Sequence, residues 1–151
     1  RRALGLRGFG GLMPDFRDIA RAQLKIDEGV KQYPYTDSVG KLTIGCGRNL
    51  VDVGLRPREI DSLLDNDIDE AVACARHLVP TFDTLSEARK AVIVNMAFNM
   101  GYARLSGFLR MLQALRDGRF TDAAHEMRDS DWAVQVGARA ERLAKIMEAS
   151  A

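Results

Sequence analysis

The chain is poor in the residues that build cross-links and metal centres. It has two cysteines, Cys46 and Cys74, and two histidines, His77 and His125, in 151 residues. Two cysteines make no disulfide framework, and these four side chains fit no recognised zinc-ligand spacing. Both thiols are read as small buried apolar side chains, and no metal or cofactor is expected. Excess charge of one sign is missing as well, with 22 Lys and Arg against 21 Asp and Glu. That balance excludes a purely electrostatic nucleic-acid binder, which needs a strong basic surplus. No apolar run approaches the ~18 residues that would span a bilayer, so no membrane insertion is expected. Arg1-Arg2 is followed by no long apolar stretch, and no secretory signal is visible. Residue 1 is not Met, which fits a processed product or a piece cut from a longer chain. No internal repeat or low-complexity stretch occurs.

The length suits one domain with a proper core. Residues 1–13 hold four glycines and three arginines and read as a flexible connector or tail, with a single domain over 14–151. Asp15 is a plausible N-cap for a helix whose apolar residues recur from Phe16 to Ile26, running to about Val30. Strand-like runs fill roughly Tyr33 to Gly47, with Gly40 between them. Asn49 to Leu55 reads as a loop, and Pro57 suits the first turn of the next helix.

That helix, Pro57 to Leu78, places Ile60, Leu63, Leu64, Ile68, Ala71, Val72 and Ala75 on one side. Asp61, Asp65, Asp67, Asp69 and Glu70 lie on the other, read as a solvated face because the run lacks the ligand order of a calcium loop. Ser86 caps a helix that is apolar nearly all round, through Met100 to a stop at Gly101. Short helices follow around Leu105 to Arg116 and Phe120 to Arg128, then a turn at Ser130 to Ala133 and a helix from Val136 to Met147. The fold class is α+β and mainly helical, one small strand unit on a helical body.

The chemistry concentrates in Ile26 to Leu50. Cleaving a glycosidic bond takes one carboxylic acid to protonate the leaving oxygen and a second group to activate water or attack the sugar. Glu28 sits where the first helix reaches the strand unit, where shielding from water favours the protonated form that a general acid needs. Asp37 falls in the hairpin turn, a more exposed place where a carboxylate stays ionised. Thr43 could hold a water against Asp37, and Gly45 and Gly47 let a bulky polymer approach the backbone. Each piece alone has a plainer reading: a helix-end acid, turn chemistry at Asp37, a good strand former at Thr43. Their joint spacing carries the inference.

Asp27-Glu28-Gly29, followed by Y-x-D-x-x-G-x-x-T-I-G-x-G from Tyr35 to Gly47, resembles the signature of the tailed-phage lysozymes, glycoside hydrolase family 24. The likeness continues in N-M-A-F-N-M-G (Asn95 to Gly101), G-F-L-R-M-L (Gly107 to Leu112) and S-D-W-A-V-Q-V-G-A-R-A (Ser130 to Ala140), leaving out only the start of the chain. The resemblance implies a small β-hairpin lobe and a larger helical lobe joined by a long helix, with a cleft between. It implies Glu28, Asp37 and Thr43 as the catalytic triad. Phe98, Asn99, Asn49 and Glu126 would contact substrate, with Arg139, Arg48 and Trp132 in support and Arg139 pairing with Glu28. This chain departs from the pattern at Arg48, where many members carry His, and at Glu126, where the family has a substrate-contacting Asn. Phe98 and Trp132 also fit plain core packing.

The implied activity is a muramidase that hydrolyses the bond between N-acetylmuramic acid and N-acetylglucosamine of peptidoglycan, with inversion, the enzyme acting as a monomer. A catalytically inert wall-binding or virion module and a lytic transglycosylase are the alternatives. A phage product of this kind acts on the bacterial wall, made in the host cytoplasm or carried in the virion as a domain of a larger protein.

Overall fold

The computed structural model describes residues 15–149, and the expected connector at 1–13 lies outside them. The chain forms two compact units that divide between Pro57 and Arg58.

The first unit opens with α1 (Phe16–Asp27). Asp15 caps it, accepting the amides of Arg17 and Asp18 at 2.8 and 3.0 Å, two of the N–H groups that the first turn leaves without partners. The helix stops short of the expected Val30. Glu28 is its C-cap, and Gly29 follows at φ +70°, the left-handed conformation that commonly ends a helix.

An antiparallel sheet follows in the order β1 (Lys31–Thr36), β2 (Leu42–Gly45) and β3 (Arg48–Asn49). β1 pairs with β2 through Tyr35↔Thr43 and Thr36↔Leu42, and the register slips between Lys31 and Tyr35. Pro34 lies in that slip, where a residue without an N–H costs the ladder nothing. β3 falls partly in what the sequence presents as a loop from Asn49. Its two residues are strand because β2 supplies the partners, Thr43↔Asn49 and Ile44↔Arg48. Among the described residues of this unit only Thr43 is buried, at 2% exposure.

The body of the second unit is helical. α2 (Pro57–Leu78) begins with Pro57 in its first turn, where the missing N–H is harmless. Ala71, Ala75 and Leu78 of its apolar side are buried, whereas Ile60, Leu63 and Leu64 are exposed. α3 (Glu87–Leu105) is capped by Ser86, which accepts the amide of Arg89. Gly101 breaks it as expected, at φ 71° and ψ 174°, but helix resumes to Leu105. Then come α4 (Leu109–Arg116), α5 (Phe120–Arg128), α6 (Asp131–Val136) and α7 (Ala138–Glu148). The segment expected as a turn at Ser130 is a short helix, started by Ser130 Oγ accepting the amide of Ala133 at 3.1 Å.

These helices enclose one apolar core in which Val79, Ile93, Met96, Leu105, Met111, Leu115, Met127 and Met147 are at most 1% exposed. Each such side chain contributes about 1.5–3 kcal/mol by leaving water. α3 is buried along Val92, Ile93, Met96 and Ala97, while Phe98 and Asn99 are exposed. The cysteines depart from expectation: Cys46 is exposed and Cys74 half-buried. Cys46 falls in the turn between β2 and β3, outside any packed face.

Candidate active site

Asp37 follows β1 directly, and its carboxylate closes the hairpin turn. Oδ1 accepts the amides of Val39 at 3.0 Å and Lys41 at 2.8 Å, while the Asp37 amide donates to the Lys41 carbonyl at 2.9 Å. Oδ2 is left for a different partner, the Thr43 hydroxyl at 3.3 Å. That hydroxyl also lies 3.1 Å from the Lys41 carbonyl oxygen, so its single proton is shared between two acceptors and its lone pairs stay available to accept. The Lys41 amide, foremost, holds the Asp37 carboxyl below the usual carboxylate range. Partial burial opposes this, and the Val39 amide, the Thr43 hydroxyl and the Lys41 charge reinforce it.

Glu28 is reached by another route. Its Oε2 lies beside Gly47: a Cβ added there would stand 3.5 Å from it, an ordinary van der Waals contact, and Gly47 holds φ +76°. The Glu28 carboxylate thus rests beside the β2–β3 turn, and it is the positive φ of Gly47, not the space around it, that calls for glycine. The two acids exchange the environments expected from sequence. Glu28 is exposed and Asp37 half-buried, because Glu28 caps a helix with no buried residue while Asp37 is drawn in by its own turn.

Arg48 and Asn49 make up β3. Arg48 Nη1 donates to the Gly54 carbonyl at 3.2 Å. Asn49 Oδ1 accepts the amides of Val51 and Asp52, both at 2.9 Å, and Nδ2 donates to Asp52 Oδ2 at 3.0 Å. The side chain of Asn49 therefore shapes the turn that follows it.

The other residues singled out from sequence belong to the second unit. Trp132 is buried and meets Phe108 edge-on with ring centroids 6.4 Å apart; its indole N–H donates to Asn99 Oδ1 at 2.8 Å. Trp132 and Glu126 line an open groove of about 520 Å³ with Arg104, Phe108, Arg110 and Asp129. Phe98, 46% exposed, lines a more apolar groove with Ile68, Val72 and Val94. Arg139 turns its Nε and Nη2 to Asn95 Oδ1, at 3.0 and 2.8 Å.

The structure thus joins Asp37 to Thr43, Asn99 to Trp132, and Arg139 to Asn95. Asn95 was not marked by sequence reasoning, although it opens the N-M-A-F-N-M-G segment. Among the described residues no group of three or more His, Cys, Asp and Glu could hold a metal ion. No described helix is long and apolar enough to cross a membrane.

A family model described as phage lysozyme matches residues 25–148, a span that contains every site residue named above. Two probable T4-type lysozymes of Dictyostelium discoideum, numbered 2 and 1, are 26% and 27% identical to the chain. Each alignment covers 83% of this chain and 91% of the relative. The pre-baseplate central spike protein Gp5 of Enterobacteria phage T4 is 25% identical over 82% of this chain and 26% of its own length. With most of its length inside the family match, the chain belongs to the phage lysozyme family and is a glycoside hydrolase.

Proposed function

We propose that the protein is a muramidase that hydrolyses the β-1,4 bond between N-acetylmuramic acid and N-acetylglucosamine of bacterial peptidoglycan, with inversion. Glu28 protonates the glycosidic oxygen as the bond to the anomeric carbon breaks. A water held between Asp37 and Thr43 adds to that carbon from the opposite face and gives its proton to Asp37. Glu28 ends ionised and Asp37 protonated, and solvent restores both.

The observation that carries this reading is the division of labour on Asp37. One carboxylate oxygen is committed to two backbone amides, and the other stands beside the Thr43 hydroxyl. A base that must orient water needs this arrangement: a carboxylate held ionised and still, with a second oxygen beside it to fix the water. Phe98, Asn99, Asn49 and Glu126 are read as saccharide contacts, with Arg139, Arg48 and Trp132 in support. The enzyme works as a monomer, in phage lysis or wall penetration.

The test is clearance of outer-membrane-permeabilised cells by the wild type and by Glu28→Gln. An amide cannot donate the proton that the leaving oxygen requires, so lysis should vanish while the fold persists. Substantial lysis by the variant would move the acid elsewhere. A wild type that binds wall without cleaving it would favour the inert virion module, the reading that similarity to a phage central spike protein supports. Anhydro ends in the products would favour a lytic transglycosylase, which has no use for the Asp37–Thr43 pair.

A further inference from the structure

We infer that Asn95 is the positioning residue for Arg139, a neutral clamp that aims the guanidinium while leaving its charge and one donor fork for the reaction. The inference rests on the muramidase reading, in which Arg139 is the supporting cation. Arg139 Nε and Nη2 form one edge of the guanidinium plane, and both converge on Asn95 Oδ1. Arginine can only donate, so the carboxamide must present its oxygen, and its orientation follows from chemistry alone. The outer edge, Nη1 with the second hydrogen of Nη2, keeps the geometry that grips a carboxylate or a pair of sugar oxygens. Among the described residues of this unit no acceptor takes Nη1.

A second arginine of the same helical body shows what a purely structural arginine looks like here. Arg128 on α5 donates from Nε, Nη1 and Nη2 to two carboxylates, Glu141 and Glu148 on α7. Its charge is neutralised and every nitrogen is occupied. Arg139 is held along one edge only, and by an uncharged oxygen. An aspartate at 95 would hold the same edge and cancel the charge. Both ends of the contact stand on packed elements, since Met96 and Ala97 follow Asn95 on α3 and Ala140 follows Arg139 on α7, all buried. A rotamer locked in this way can aim a side chain that a loop could not.

Two variants and two readouts test this. The Arg139 Nε–H should exchange slowly with solvent in the wild type, which NMR of the arginine side chain reports. Asn95→Ala should speed that exchange and lower kcat on peptidoglycan fragments by about tenfold or more, with KM changed by less than about twofold. Asn95→Asp should keep Nε–H protected and melt no lower than wild type, yet lose a comparable share of kcat, a pairing that a merely structural role would not produce. Wild-type kcat in Asn95→Asp, or faster exchange without loss of kcat in Asn95→Ala, would overturn the inference. A wild type inert toward peptidoglycan would sink the muramidase reading instead, and this inference with it, whatever the exchange rates show.

Discussion

Trp132 reaches from α6 back to α3, where its indole N–H donates to Oδ1 of Asn99 at 2.8 Å. Trp132 is therefore both core filler and director, because a donor-only partner fixes which end of the Asn99 carboxamide faces outward.

Trp132→Phe separates the two roles. The ring remains and the donor goes, so stability should fall by only about 1 kcal/mol, since exposed Asn99 can turn to water. KM for peptidoglycan fragments should rise as Asn99 loses its fixed orientation. Trp132→Ala, which also opens a cavity, should cost about 3–5 kcal/mol. Equal melting temperatures for the two variants, read by calorimetry, would contradict the division.

Thr43→Val keeps shape and burial and deletes the hydroxyl beside Asp37. The carboxyl of Asp37 is held below its ordinary range by the Lys41 amide first, with a smaller contribution from Thr43. A lowered folded value means that the ionised form persists as pH falls, and the base function is lost only below the usual carboxylate range. Removing the hydroxyl should move the acid limb of the pH–rate profile upward and lower kcat at every pH. An unchanged limb, measured on soluble fragments, would remove Thr43 from the electrostatics of Asp37.

How far the sequence announced these features depends on the range of the interactions. Glu28, Asp37 and Thr43 sit in one local stretch, and their spacing was enough to mark them. α2 and α5 begin and end where the sequence places them, α2 starting at Pro57, whose missing N–H suits a first turn. β3 could not be read, since its two residues are strand only through β2. The exchanged environments of Glu28 and Asp37 follow from how α1 and the turn sit, which no spacing records. The Asn95–Arg139 and Arg128–Glu148 contacts join residues 44 and 20 positions apart, beyond the reach of any periodicity.

Arg128 supplies a prediction about acid. Glu148 and Glu141 are held below the ordinary carboxylate range, chiefly by their hydrogen bonds to Arg128. Groups lowered on folding add stability above their unfolded values and lose it as pH falls through the folded ones. Arg128→Met should therefore lower the melting temperature by a few degrees at neutral pH. The gap to wild type should close below the usual carboxylate range, where both glutamates are protonated. Melting curves that stay parallel across this range would show that the clamp acts through packing rather than charge.

The last prediction concerns the stereochemistry of cleavage. Asp37 either attacks the sugar itself or delivers a water, and the two routes leave opposite anomers. A nucleophile needs an unobstructed oxygen and carboxyl groups about 5 Å apart, whereas a base needs room for water, roughly 6.5–9.5 Å. The Asp37 oxygen not bound to backbone lies 3.3 Å from the Thr43 hydroxyl, a companion that a nucleophile does not require and a water does. The reaction should therefore invert, giving the α-anomer first from the β-linked substrate, with no covalent sugar on the enzyme. NMR of the first-formed reducing end, before mutarotation, reads the outcome. A β-anomer from the wild type, or a glycosyl ester trapped on Asp37, would overturn inversion and make Asp37 the nucleophile, leaving family membership untouched.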